Sequence, residues 1–125
     1  MANEEKITVV AVHPQQRPEV IEIEDTLETL HKFVGGYIQV VYPFEDNVGL
    51  VCNDDGKFDG SPLNRALRDD NGKIYDIIAG SFLIVGLTED SFGSLTQAQQ
   101  EKFVAFFETP EMFLKVAGRL VVLPC

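Results

Sequence analysis

Four bases, Lys57, Arg65, Arg68 and Lys73, fall between positions 57 and 73 of a chain with 10 Lys and Arg against 20 Asp and Glu. A local cluster of cations in an acidic chain is a candidate for anion recognition. Ser61-Pro62 reads as a helix start, serine capping and proline at the first helical position. A helix beginning there would place Asn64 and Arg65 in its first turns, beside free backbone amides and the positive end of the dipole. Arginine adds a planar fork of donors suited to carboxylate or phosphate, and Arg68 a second charge. Asn53, closing the strand upstream, can contribute an amide. The structural alternative has Arg65 and Arg68 pairing with Asp69, Asp70 or Asp76, and Asn64 bonding a local backbone group. A further pair, Gly35 and Gly36, offers bare amides that a ligand could approach. A helix C-cap followed by a turn would explain the same two residues.

Covalent and metal chemistry have less to build on. Cys52 ends the apolar run Leu50-Val51-Cys52 and reads as a small core residue. A Cys–His pair would need His31 to meet it. Cys52, Cys125, His13 and His31 lack CxxC or HxxxH spacing, so no zinc site is expected. Asn53-Asp54-Asp55-Gly56 and Asp69-Asp70-Asn71-Gly72 are turn sequences without the alternating ligands and closing glutamate of a calcium loop. The chain has no GxxxxGK[ST], no GxGxxG after a strand and no GxSxG. No cofactor is expected and no enzyme is indicated.

The elements that would position these residues are organised around Asp25 to Tyr42. Asp25 as N-cap with Glu28 three residues on has capping-box spacing. Leu27, Leu30 and Val34 form a buried stripe with Phe33 at its edge. Gly35 stops the helix, Gly36 reverses the chain, and a strand runs to Tyr42 before Pro43. Upstream, Ile7–Val12 reads as a central strand, apolar on both faces, and Val20–Glu24 as a strand with one wet face. Downstream, Val48–Cys52 completes a hairpin with the strand before it. Strands follow at Ile74–Ile78 and Ser81–Leu87, with Ala79-Gly80 as a bend between them and a polar loop from Thr88 to Ser94. Thr96 and Gln99 form a second capping box, opening a helix whose Phe103, Phe106 and Phe107 make an apolar stripe. Thr109-Pro110 starts another short helix, to about Ala117, and Arg119–Leu123 is a last strand. The irregular order predicts an α+β fold: one mixed, mainly antiparallel sheet packed by two to four helices.

At 125 residues, 45% hydrophobic and 24% charged, the chain reads as one globular domain over 1–125. No apolar run approaches the roughly 20 residues of a membrane helix, and MANEEKITVV puts acids where an export signal has bases. Two cysteines make no disulfide scaffold, so a cytoplasmic setting is expected. The net charge of −10 disfavours direct nucleic-acid binding and suits a basic protein partner.

Several runs occur together in order: IEDTLETLHKFVGGYIQVVYPFEDNVGLVCNDDGK, PLNRALRD, IYDIIAGSFLIVG and FGSLTQAQQEKF. Together they resemble the bacterial and phage family known as domain of unknown function 3846. The likeness covers about residues 6–108 and leaves 109–125 as a C-terminal extension. It implies a mobile-element origin and brings no activity, cofactor or catalytic residue. Asn53, Asn64 and Arg65 match polar positions of its pattern. The expectation is a non-enzymatic binding protein taking a small anionic or nucleotide-like ligand near Asn53, Asn64 and Arg65. The alternative is an acidic adaptor or nucleic-acid mimic that docks on a host protein.

Overall fold

The computed structural model describes residues 6–55 and 60–125. Ten strands and two helices follow in order. They are β1 (Lys6–Val12), β2 (Glu19–Glu24), α1 (Leu27–Val34), β3 (Ile38–Val41), β4 (Val48–Asn53), β5 (Leu63–Arg68), β6 (Ile74–Ala79), β7 (Phe82–Leu87), β8 (Phe92–Gly93), α2 (Gln97–Phe106), β9 (Glu111–Val116) and β10 (Arg119–Pro124). The main sheet has the order β2-β1-β7-β4-β3, with β8 paired to β7. All its pairings are antiparallel. The hairpins β5–β6 and β9–β10 form two further antiparallel ribbons. The fold is α+β, with two helices among the described residues.

β1, β4 and β7 are apolar on both faces because both faces are covered. On one side Ile7, Val9, Val51 and Leu83 meet Leu30 and Val34 of α1. On the other, Val10, Leu50, Phe82 and Ile84 meet Phe103 and Phe107 with Leu67 and Ile78 of the β5–β6 ribbon. β2 lies at an edge and keeps its glutamates in water.

Local signals place α1 well, but shifted by one residue. Thr26 is the N-cap, its Oγ1 accepting the Thr29 N–H at 3.1 Å, in place of the expected Asp25. Leu27, expected in the buried stripe, is 59% exposed, whereas Leu30 and Val34 are buried. Gly35 ends the helix at φ +84°, its N–H bonded to His31 O. α2 opens with the expected capping box: Thr96 Oγ1 accepts from Gln99 N–H, and Gln99 Oε1 from Thr96 N–H.

Two expected helices are strands. The segment after Ser61-Pro62 is β5, and the segment after Pro110 is β9. Leu63, Ala66 and Leu67 have helical spacing, but a six-residue strand buried on both sides satisfies the same pattern. β5 does so with register shifts at Leu63/Arg65 and Leu67/Arg68. β9 turns into β10 through Ala117 (φ 52°) and Gly118 (φ 80°), with Val116 paired to Arg119. Two successive positive φ values are the primed turn that matches strand twist. Gly118 is therefore a hairpin turn residue, and the helix expected to about Ala117 is a strand. The expected Thr88–Ser94 loop contains the short strand β8.

Candidate functional site

Registers place Val12 opposite Phe82, and Asn53 opposite Ile38, so these residues mark one end of the main sheet. Asn53 and Asn64 both sit at this end, on opposite faces. Asn53 is buried beneath the end of α1. Its Nδ2 donates to Val34 O at 3.0 Å, and its Oδ1 accepts from Asp55 N–H at 2.7 Å. A carbonyl left open at the helix C-terminus is thereby bonded. Gly36 makes room for this, since a Cβ there would stand 3.1 Å from Asn53 Nδ2. Gly35 and Gly36 thus belong to the seam between α1, β3 and β4. Asn53→Ala is expected to lower stability by about 1–2 kcal/mol. Amide hydrogen exchange would show the loss concentrated in the last turn of α1.

Asn64 is fully buried on β5. Its Nδ2 donates to Val12 O at 3.0 Å and to Gly80 O at 2.8 Å, joining β1 to the β6–β7 bend. Its Oδ1 accepts from Arg65 Nη1 at 2.8 Å. Arg65 is 2% exposed, and each of its five donors has an acceptor. Nε and Nη2 reach Phe107 O, Nη2 also reaches Gln16 O, and Nη1 reaches Asn64 O and Oδ1. The guanidinium therefore ties β5 to the loop after β1 and to the C-terminal end of α2. Phe107 O there gains both a hydrogen bond and a positive charge at the negative pole of the helix. Burial pushes Arg65 below its ordinary pKa, while Glu111 and Cys125 pull it the other way.

The expected anion site at a helix start loses its helix, because Asn64 and Arg65 stand in a strand. Arg68 is different. It ends β5 with its side chain 40% exposed and pairs with Glu111 at 2.7 Å. Glu111 also accepts the Ala66 N–H at 2.8 Å, so one carboxylate joins β9 to β5. Neither Asp69, Asp70 nor Asp76 takes that role. Lys57 and Gly56 lie outside the described residues.

Arg68 also lines a groove of about 420 Å³ between the β3–β4 turn, the β5–β6 ribbon and α2. Phe44, Tyr75 and Phe106 supply aromatic surface there. Tyr75 is 56% and Phe106 55% exposed. Phe106, expected in the buried stripe with Phe103 and Phe107, instead presents its ring at this groove, 5.2 Å from that of Phe44. Lys102 pairs with Asp46 at the rim. Glu45 and Asp70, also at the rim, make no ion pair among the described residues. With both bases already paired, the groove is left with acidic charge. A smaller pocket of about 180 Å³ shares Arg68 and Phe106 with it and is also lined by Glu111. Sequence reasoning missed this groove because its walls come from segments remote along the chain.

Cys52 is buried on the α2 side of the sheet, whereas His31 lies on α1 across it, its ring 5.6 Å from that of Tyr37. They do not form a pair. His13 Nδ1 instead lies 2.7 Å from Ser81 Oγ, a contact the sequence did not suggest. Among the described residues no cluster of His, Cys, Asp or Glu could hold a metal ion. Among the described residues no helix is long and apolar enough to cross a membrane.

A family model described as Domain of unknown function (DUF3846) matches residues 7–108. The chain belongs to this family. The match runs from β1 through α2, and the β9–β10 hairpin follows it. Neither the curated proteins nor the solved structures hold a match to the chain.

Proposed function

We propose that this protein of the domain of unknown function 3846 family is a non-enzymatic adaptor. Its groove would hold a basic, apolar segment of a partner polypeptide. The observation that carries this is the pairing state of the groove charges. Arg68 and Lys102 are neutralised by Glu111 and Asp46, while Glu45 and Asp70 face the same opening beside Phe44, Tyr75 and Phe106. Carboxylates with no ion pair among the described residues, next to exposed rings, suit Lys or Arg flanking aliphatic or aromatic side chains. The chain's overall −10 charge would speed the encounter with a basic partner. On a mobile element, as the family resemblance implies, that partner would be a host protein.

The test is a random-peptide display screen on the immobilised full chain, with hits measured by fluorescence polarisation. Enriched peptides should carry Lys or Arg beside apolar residues and bind more weakly as salt rises. Asp70→Lys should weaken them about tenfold, or about 1.4 kcal/mol. Absence of enrichment, or binding indifferent to Asp70→Lys, would remove this reading.

The small anionic or nucleotide-like ligand has one observation in its favour, the presence of Arg68 and Lys102 on the rim of an aromatic groove. A nucleotide that raises the melting temperature of wild type but not of Arg68→Ala would install that reading in place of the first.

A further inference from the structure

The geometry points to a second copy of this chain as an occupant of the groove, delivering its β9–β10 hairpin as an arm. This rests on the groove being a polypeptide site and names the segment it takes.

The hairpin leaves one face uncovered. Its register sets Met112 opposite Leu123, Leu114 opposite Val121 and Val116 opposite Arg119, so these side chains share a face. Met112, Leu114, Val116 and Leu123 are each 39–53% exposed. On the other face Leu120, nearer the tip, is exposed as well. A two-stranded ribbon has no interior of its own and is marginal in water until something packs on it.

Charge selects what packs on it. Residues 112–125 contain Lys115 and Arg119 and no acid, so eight of the ten bases and all twenty acids lie in the preceding 111 residues. Arg119 shares the uncovered apolar face, whereas Lys115, paired with Leu120, lies on the other, so the docking face carries one base and no acid to match the acid-rimmed aromatic groove. Arm against arm would instead bring Arg119 of each copy onto one interface, a like-charge contact.

Position makes the exchange geometrically short. Glu111, at the root of the arm, lines the pocket that shares Arg68 and Phe106 with the groove. Each six-residue strand of the arm reaches about 20 Å. A two-fold axis beside the roots lets each arm cross to the other copy's groove, giving a closed dimer with two identical contacts. Reciprocal exchange doubles the contact between the two copies, in the direction of the roughly 800 Å² per partner of a stable interface.

The experiment is sedimentation velocity on the full chain, with circular dichroism to verify folding of each variant. Wild type should be a dimer whose dissociation constant rises with salt. Leu114→Glu, at an exposed position, should raise that constant at least about tenfold, as should Glu45→Lys with Asp70→Lys in the groove. Adding Arg119→Glu, on the docking face, to the groove pair should restore association in part, because the swapped charges attract again. A monomer at every concentration, or a dimer untouched by the groove substitutions, overturns the arm exchange. A monomer that still binds selected basic peptides leaves the adaptor reading standing and removes only the second copy.

Discussion

Arg65→Ala is expected to lower the free energy of unfolding by about 3–5 kcal/mol. Alanine removes all five donors at once. Phe107 O, Gln16 O and Asn64 Oδ1 then lose the partner that holds them, and each buried acceptor left open costs about 1–3 kcal/mol. Water entering the vacated space would recover part of this, which keeps the total below the simple sum. Arg65→Lys should be intermediate. An ammonium keeps the charge but cannot span three acceptors on different segments, as a planar fork does. Arg68→Ala supplies the contrast. Its pair with Glu111 is partly solvated, so about 1 kcal/mol or less is expected. Urea unfolding of the three variants measures the series. Arg65→Ala within about 1 kcal/mol of wild type would show that the guanidinium does not clamp these segments. Alanine at 65 matching alanine at 68 would show the same.

The second large effect is at Phe103. This ring is fully buried on α2 and lies 4.7 Å from that of Phe44 and in the same core as Phe82 and Phe107. Phe103→Ala should cost about 3–5 kcal/mol, combining lost transfer energy with the cavity left behind. Phe106→Ala should cost under about 1 kcal/mol, since more than half of that side chain is already in water. The same substitution should weaken peptide capture by the groove, because Phe106 forms part of its wall. Thermal or urea unfolding separates the two phenylalanines on stability, and fluorescence polarisation separates them on binding. Equal destabilisation would mean that α2 packs by a different face. A Phe106→Ala variant that binds peptides as wild type does would remove that ring from the site.

These two predictions also mark where sequence signals stop. Asn53, Asn64 and Arg65 stand out in the sequence as polar residues among apolar runs, and all three are buried at one end of the sheet. Their partners were not visible. Arg65 reaches Gln16 and Phe107, and Asn64 reaches Val12 and Gly80, contacts that cross large separations in sequence. Buried polar groups must be bonded somewhere, but composition does not say to what. The reading of Ser61-Pro62 as a helix start failed for a related reason. Proline and serine suit the approach to a strand as well, and the apolar spacing of six residues cannot tell a helix from a doubly buried strand. Glu111 accepting the Ala66 N–H and Ile77 pairing with Ala66 decide it, and both lie outside the segment.

What the sequence determined by itself was local. The Gly35 stop, the Thr96–Gln99 capping box, the β3–β4 hairpin and the two-faced apolarity of β1 follow from contacts between near neighbours or from the side-chain period of a single element. The α+β class follows from the order of those elements. Tertiary structure decided the rest: that two short apolar segments extend as ribbons, that Arg65 is locked inside while Arg68 and Phe106 face the groove, and that the final hairpin stands with an apolar side uncovered. Each of these depends on which remote segments supply hydrogen-bond partners and cover, and that information is distributed over the whole chain.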